Sequence, residues 1–161
     1  MKGKKAAALL CAALLCLAGV FALAEETIAT EGEDAMKMMI GDTPVTVIWE
    51  DNASVEALKA LVAEGSAPAE DSLPAEGLTI EMSMYGGFEQ VGAIGADLPR
   101  DDQQTTTASG DIVLYAGDQL VVFYGSNAWA YTRLGHIADQ TPEQMKALLG
   151  NGDVTITLSM P

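Results

Sequence analysis

Residues 109–137, SGDIVLYAGDQLVVFYGSNAWAYTRLGHI, decide how this chain is read. They hold Tyr115, Phe123, Tyr124, Trp129 and Tyr131, with the only histidine, His136, and one of the two arginines, Arg133. In 112–115 and 120–124 both alternating faces are apolar, the pattern of strands covered on both sides or set at the centre of a barrel. Gly117-Asp118 between them suits a tight turn. Gly125-Ser126-Asn127 reads as the next hairpin loop with 129–134 returning, so the stretch predicts two consecutive β-hairpins.

The flanks extend the same pattern. In 79–85, Ile80, Met82 and Met84 alternate with Thr79, Glu81, Ser83 and Tyr85, a half-buried strand broken by Gly86-Gly87. A short strand is expected over 91–94, then a polar loop over 98–109. Residues 38–40 and 45–49 flank Gly41-Asp42-Thr43-Pro44 and predict a hairpin. Asn52 or Ser54 can cap a helix to about Ala63, whose stripe is Val55, Leu58, Leu61 and Val62, with Gly65 as its stop. Residues 65–77 are rich in Pro, Gly, Ala and acid and read as a surface loop. Thr141-Pro142-Glu143-Gln144 combines a Thr cap, Pro at the first helical position and a capping-box Gln. That helix runs to Leu149, and Val154, Ile156 and Leu158 alternate beyond it. The expectation is a mainly β domain over 37–161: a closed antiparallel β-barrel of about eight strands, with two short helices over its open ends.

The N-terminus carries an address. Lys2, Lys4 and Lys5 precede an apolar run over 6–23 that ends in Ala22-Leu23-Ala24 before Glu25-Glu26. A basic region, an apolar region and a small-x-small site describe a Sec-type secretory signal peptide, residues 1–24, which predicts export. A retained membrane anchor is the alternative; the site, placed where the hydrophobicity stops, favours cleavage and no stable membrane insertion afterwards. Residues 25–36 read as an acidic, disordered leader.

Beyond residue 24 no cysteine remains, which removes disulfides, thiolate metal sites and cysteine nucleophiles from that part of the chain. It keeps five cations, Lys37, Lys59, Arg100, Arg133 and Lys146, against 23 acids, a net charge of −18. Such a surface repels phosphate backbones, so nucleic acid is not an expected partner. One histidine supports neither a His-based metal cluster nor a Ser/His/Asp triad, and Asp101-Asp102 reads as a solvated acidic loop. No metal or cofactor is expected, and the domain is read as a monomer.

The sequence Gly110-Asp111-Ile112-Val113-Leu114-Tyr115, then Gly117, Phe123-Tyr124-Gly125-Ser126, and Trp129-x-Tyr131-Thr132-Arg133-Leu134-Gly135 resembles the bacterial cyclophilin-like domain family. The similarity covers about residues 36–160. It implies the cyclophilin-like barrel, and the family's own activity is mostly unassigned; with the Sec-type signal peptide, the expectation is a bacterial protein, secreted or on the exterior of the cell envelope. Cyclophilins proper are peptidyl-prolyl isomerases, with an Arg in a Phe-His-Arg context beside an apolar cup. No Phe-His-Arg stands in this sequence. Gln90, which follows Phe88-Glu89, is loosely similar to the Phe…Gln pairing of those enzymes, and Arg100 is the arginine nearest the Gly-rich segment.

Trp129, Tyr131 and Arg133 alternate and so share one strand face, which can offer stacking and a cation. A buried Trp and Tyr with Arg133 at the rim is the structural alternative. Asn127, in the adjoining loop, can add hydrogen bonds or simply make the turn. The candidate ligand-binding residues are therefore Arg100, Trp129, Tyr131, Arg133, Asn127 and Gln90, with no catalytic residue assigned. The sequence points first to a non-catalytic module for a peptide or small ligand. A divergent peptidyl-prolyl isomerase and an accessory domain of a redox or surface partner are the alternatives.

Overall fold

This computed structural model describes residues 35–65 and 77–161; the expected signal peptide, the expected leader to residue 34 and most of the 65–77 connection lie outside the described residues. β1 (Lys37–Ile40) turns at Gly41-Asp42 into β2 (Thr43–Val45), and β3 (Val47–Trp49) follows after Thr46. Helix α1 (Ala53–Gly65) precedes β4 (Leu78–Tyr85), β5 (Glu89–Ala93), β6 (Gln103–Thr106), β7 (Asp111–Tyr115), β8 (Gln119–Phe123) and β9 (Ala128–Ile137). Helix α2 (Pro142–Leu149) and β10 (Val154–Ser159) complete the chain.

The sheet order is β2-β1-β10-β4-β5-β8-β7-β9-β3, with β6 paired to β9. Every pairing is antiparallel. Its two end strands, β2 and β3, are consecutive in the chain and parted only by Thr46. Joining the ends covalently in this way bends the sheet into a nearly closed antiparallel barrel, which leaves little free edge. The mainly β barrel with two helices expected from the sequence is what forms.

The interior is filled by the inward faces of the strands. Ile80, Ile112, Leu114, Leu120, Val122, Leu134 and Ile156 are buried there with Met38, Met82 and Leu158. Helix α1 adds Val55, Leu58 and Val62, each fully buried, and each such side chain contributes roughly 1.5–3 kcal/mol on burial. Asn52 caps it, its Oδ1 accepting from the Val55 N–H at 3.0 Å, while its Nδ2 donates to the Arg133 carbonyl and ties the cap to β9. Helix α2 has the expected capping box: Thr141 Oγ1 accepts from Gln144 N–H, and Gln144 Oε1 from Thr141 N–H.

Three details differ from the sequence reading. The second hairpin does not form: β9 pairs with β7, which therefore stands between β8 and β9. The Tyr124 and Gly125 N–H groups both donate to the Phe88 carbonyl at 2.9 Å, drawing this segment toward the β4–β5 turn. A Cβ on Gly125 would stand 2.7 Å from Phe88 Cβ, so the approach requires glycine. Second, the polar loop 98–109 contains a strand, β6, whose Gln-Gln-Thr-Thr has no apolar alternation because it lies mostly exposed against the first half of β9. Third, the 45–49 strand is split at Thr46, and Met84, expected inside with Ile80 and Met82, is exposed beyond the last residue pair of β4 with β10.

Candidate functional site

Strands β7 and β8 are apolar on both faces because, with β5 and β9 beside them, they serve two cores. Their inward residues fill the barrel; outward, Val113, Val121, Phe123 and Tyr131 make a second cluster against which Phe88 and Val91 pack. Phe88 stacks on Phe123 with ring centroids 6.5 Å apart, and Tyr131 meets Phe123 and Tyr115 edge-on at 5.7 and 6.1 Å. A bulge at Leu134 leaves Arg133 opposite Val113 and Gly135 opposite Ile112. Leu134 turns into the barrel while Trp129, Tyr131 and Arg133 keep to the outer side.

Beside this cluster lies a cavity of about 270 Å³. Val91, Val121 and Tyr131 line it from the cluster, and Tyr85, Tyr115, Trp129, Asn127 and Glu89 complete it. Trp129 and Tyr85 are 57% and 67% exposed, large aromatic surfaces left to solvent around a concave apolar space. Asn127 fixes the wall: its Nδ2 donates to the Tyr131 hydroxyl at 2.9 Å and its Oδ1 accepts from the Ala128 N–H. Its carbonyl accepts from the N–H and hydroxyl of Thr107, which anchors the loop.

Glu89 is the charged residue of this cavity. Strand alternation sets it beside Val91 on the outer face of β5, opposite Phe123 of β8. It is 6% exposed, and its Oε2 has no hydrogen-bond partner. Burial among aromatic and aliphatic side chains, with no cation alongside, pushes its carboxyl up to about 7. Around neutrality both its protonated and its ionised form are accessible. A buried, unpartnered and proton-exchanging carboxylate in an aromatic hollow is a feature of binding and catalytic sites rather than of cores.

The sequence-derived candidates divide between places. Trp129, Tyr131 and Asn127 line the Glu89 cavity. Arg100 and Arg133 do not; both line a separate hollow of about 330 Å³ with Thr132 and Asp101. There Arg100 is held by Asp102, with Nε to Oδ2 at 3.1 Å, and Arg133 by Glu50 and Asp111 at 3.2 and 3.4 Å. Gln90 points into the barrel, fully buried, its Nε2 donating to the Leu149 and Gly152 carbonyls at 2.7 Å each. It ties β5 to the end of α2. His136 pairs with Asp111.

Sequence reasoning missed Glu89, Tyr85 and Tyr115. The available signal was an acid immediately before Gln90-Val91, in a strand bordering the doubly apolar 120–124. Among the described residues no group of three or more His, Cys, Asp or Glu side chains can hold a metal ion. None of the described helices is long and apolar enough to cross a membrane.

No curated protein matches the sequence. Among solved structures the fold is similar to one titled "Structure of McbB in complex with tryptophan", with TM-score 0.52 and 12% sequence identity over 78% of this chain. The match spans 44% of that chain, less than half its length, and at this identity it shows the fold alone. The sequence pattern of the cyclophilin-like family matches residues 38–159, from the first strand to the last. With that match over most of its length and the barrel it folds into, the chain belongs to the cyclophilin-like family.

Proposed function

We propose that this is an exported, non-catalytic binding module whose ligand, a small molecule or a peptide side chain, occupies the cavity between Tyr85, Glu89, Trp129 and Tyr131. The carrying observation is the Glu89 carboxylate, buried without a partner beside exposed aromatic faces. Leaving such a group unsatisfied costs on the order of 1–3 kcal/mol, a cost a bound donor removes. Exposed Trp and Tyr around an apolar hollow add the surface that a ligand covers. Export rests on the basic-apolar-small pattern of residues 1–24.

Isomerase activity draws no support from this geometry. Twisting a prolyl bond needs a free donor beside the apolar cup. Both arginines are instead committed to carboxylates in the other hollow.

A screen of small fragments against the full chain, read by NMR at the Trp129 indole N–H, tests the reading. Hits should move this signal and lose affinity at least tenfold in Trp129→Ala. Hits that bind unchanged in the variant, or that all map to other surfaces, would refute it.

A further inference from the structure

We infer that the cavity selects an organic primary ammonium on an apolar or aromatic stem, with Glu89 as the counter-ion. The inference rests on the binding reading above and adds the chemical class of the ligand. Three observations carry it.

The first is the acceptor. Glu89 is more than nine-tenths buried, and Oε2 lacks a donor. An ammonium N–H supplies both the missing hydrogen bond and the missing charge, a charge-assisted bond that a hydroxyl or amide matches less well. The second is the wall. Tyr85, Tyr115, Trp129 and Tyr131 surround the acid, and their ring faces attract a cation while covering its stem. The third is what the wall lacks: among the described residues no Lys, Arg or His lines the cavity. A ligand carboxylate would meet Glu89 with no cation to neutralise either. The cavity therefore discriminates against zwitterionic amino acids and in favour of amines, and the net charge of −18 beyond residue 24 draws cations toward it.

The arrangement also makes binding depend on pH. Glu89 faces Tyr85 from β4, Tyr115 from β7, Trp129 and Tyr131 from β9, Val121 and Phe123 from β8, and Asn127 from the loop before β9. Burial pushes the Tyr131 phenol up. Arg100, which interacts electrostatically with Tyr115, is held by Asp102. Among the described residues, Glu89 is thus the carboxyl lining the cavity, the group whose charge changes between pH 5 and pH 8. Its neutral form lacks the charge that holds the cation, so affinity follows the ionised fraction.

The test is calorimetric titration of the full chain with 2-phenylethylamine, its N-acetyl derivative and phenylalanine. The amine should bind at least tenfold tighter than either of the others, and on the order of 100-fold tighter at pH 8 than at pH 5. Glu89→Gln, which keeps shape and removes charge, should erase both the preference and the pH dependence. N-acetyl-lysine amide forms a fourth arm: tighter binding than the free amine makes a peptide lysine the source, and weaker binding a free amine. Equal affinity for the N-acetyl derivative, or a preference surviving in Glu89→Gln, overturns the ammonium assignment and leaves the binding reading standing. Silence from all four probes overturns the assignment too, and the fragment screen then decides the binding reading separately.

Discussion

Glu89 and Asp111 are buried alike, each 6% exposed, yet they stand in opposite electrostatic states. Burial pushes both carboxyls up. At Asp111 the Ala108 N–H, His136 Nδ1 at 2.9 Å and the Arg133 guanidinium outweigh it and hold the group below the ordinary range. At Glu89 nothing opposes burial, and the carboxyl rises to about 7. Depth alone does not decide the state of a buried acid; its partners do. Asp111 is an acid the fold uses for itself, joining β7 to β9, whereas Glu89 is an acid the fold leaves open.

The comparison breaks first at Asp111. Asp111→Ala strips Arg133, His136 and the Ala108 N–H of their common partner and should cost about 3 kcal/mol in urea unfolding at pH 7. A loss below about 1 kcal/mol would show that the two side-chain partners, Arg133 and His136, both well exposed, are satisfied by water instead. Because its folded pKa is depressed, Asp111 contributes stability above the ordinary carboxylate range. That contribution fades as pH falls through the folded value. The variant's stability curve should lack this acid limb.

Glu89→Gln should act in the other direction. With the folded carboxyl raised from 4.5 to about 7, the unfolded chain releases its proton first as pH rises. Native stability therefore falls between these values and stays lowered above them. The linkage ceiling is about 3 kcal/mol, and a gain of about 2 kcal/mol at pH 8 is expected for the variant, since the cavity leaves the carboxyl partly relieved. The gap should close below pH 4.5. A constant gap across the range would mean that Glu89 titrates as an ordinary carboxylate.

Why the two acids were not equally legible follows from the chain itself. Asp111 lies in Gly-Asp-Ile-Val-Leu-Tyr, a motif that already marked the family resemblance, although its ion pairs depend on a bulge at Leu134 that no local pattern announces. The doubly apolar strands 112–115 and 120–124, the α2 capping box and the Trp129-Tyr131 face could be read because period and turn chemistry are local. The pairing of β9 with β7, strand β6 and the Glu89 cavity could not, because each is made by residues far apart in sequence. Tyr85, Glu89, Tyr115 and Trp129 come from four different strands, and only the barrel collects them. Arg133 misled for the same reason, since Glu50 and Asp111 become its neighbours only in the fold, whereas Asp102, the partner of Arg100, stands only two residues along the chain.

Asn127→Ala tests how far the open acid depends on its wall. It removes the donor to the Tyr131 hydroxyl and the acceptor for the Ala128 N–H, and should cost about 1 kcal/mol in thermal or denaturant unfolding. Tyr131 stays in the outer cluster, held by Phe123 and Tyr115, so the Glu89 titration followed by NMR should be unchanged. A displaced titration would place Asn127 among the determinants of the Glu89 environment rather than of the loop alone.

Trp129→Ala is the smallest expected change in stability and the sharpest separation of the two roles. The side chain is 57% exposed, on a stretch of β9 paired only with the short, polar β6. More than half of the residue's surface stays in water when the chain folds, so truncation should alter unfolding free energy by no more than about 0.5 kcal/mol. A ligand held against Glu89 would nonetheless lose one wall and with it most of its affinity. If stability fell instead by 1.5 kcal/mol or more, Trp129 would belong with Phe123 and Tyr131 to the outer core. Its exposed face would then be the edge of packing rather than a surface kept for a ligand.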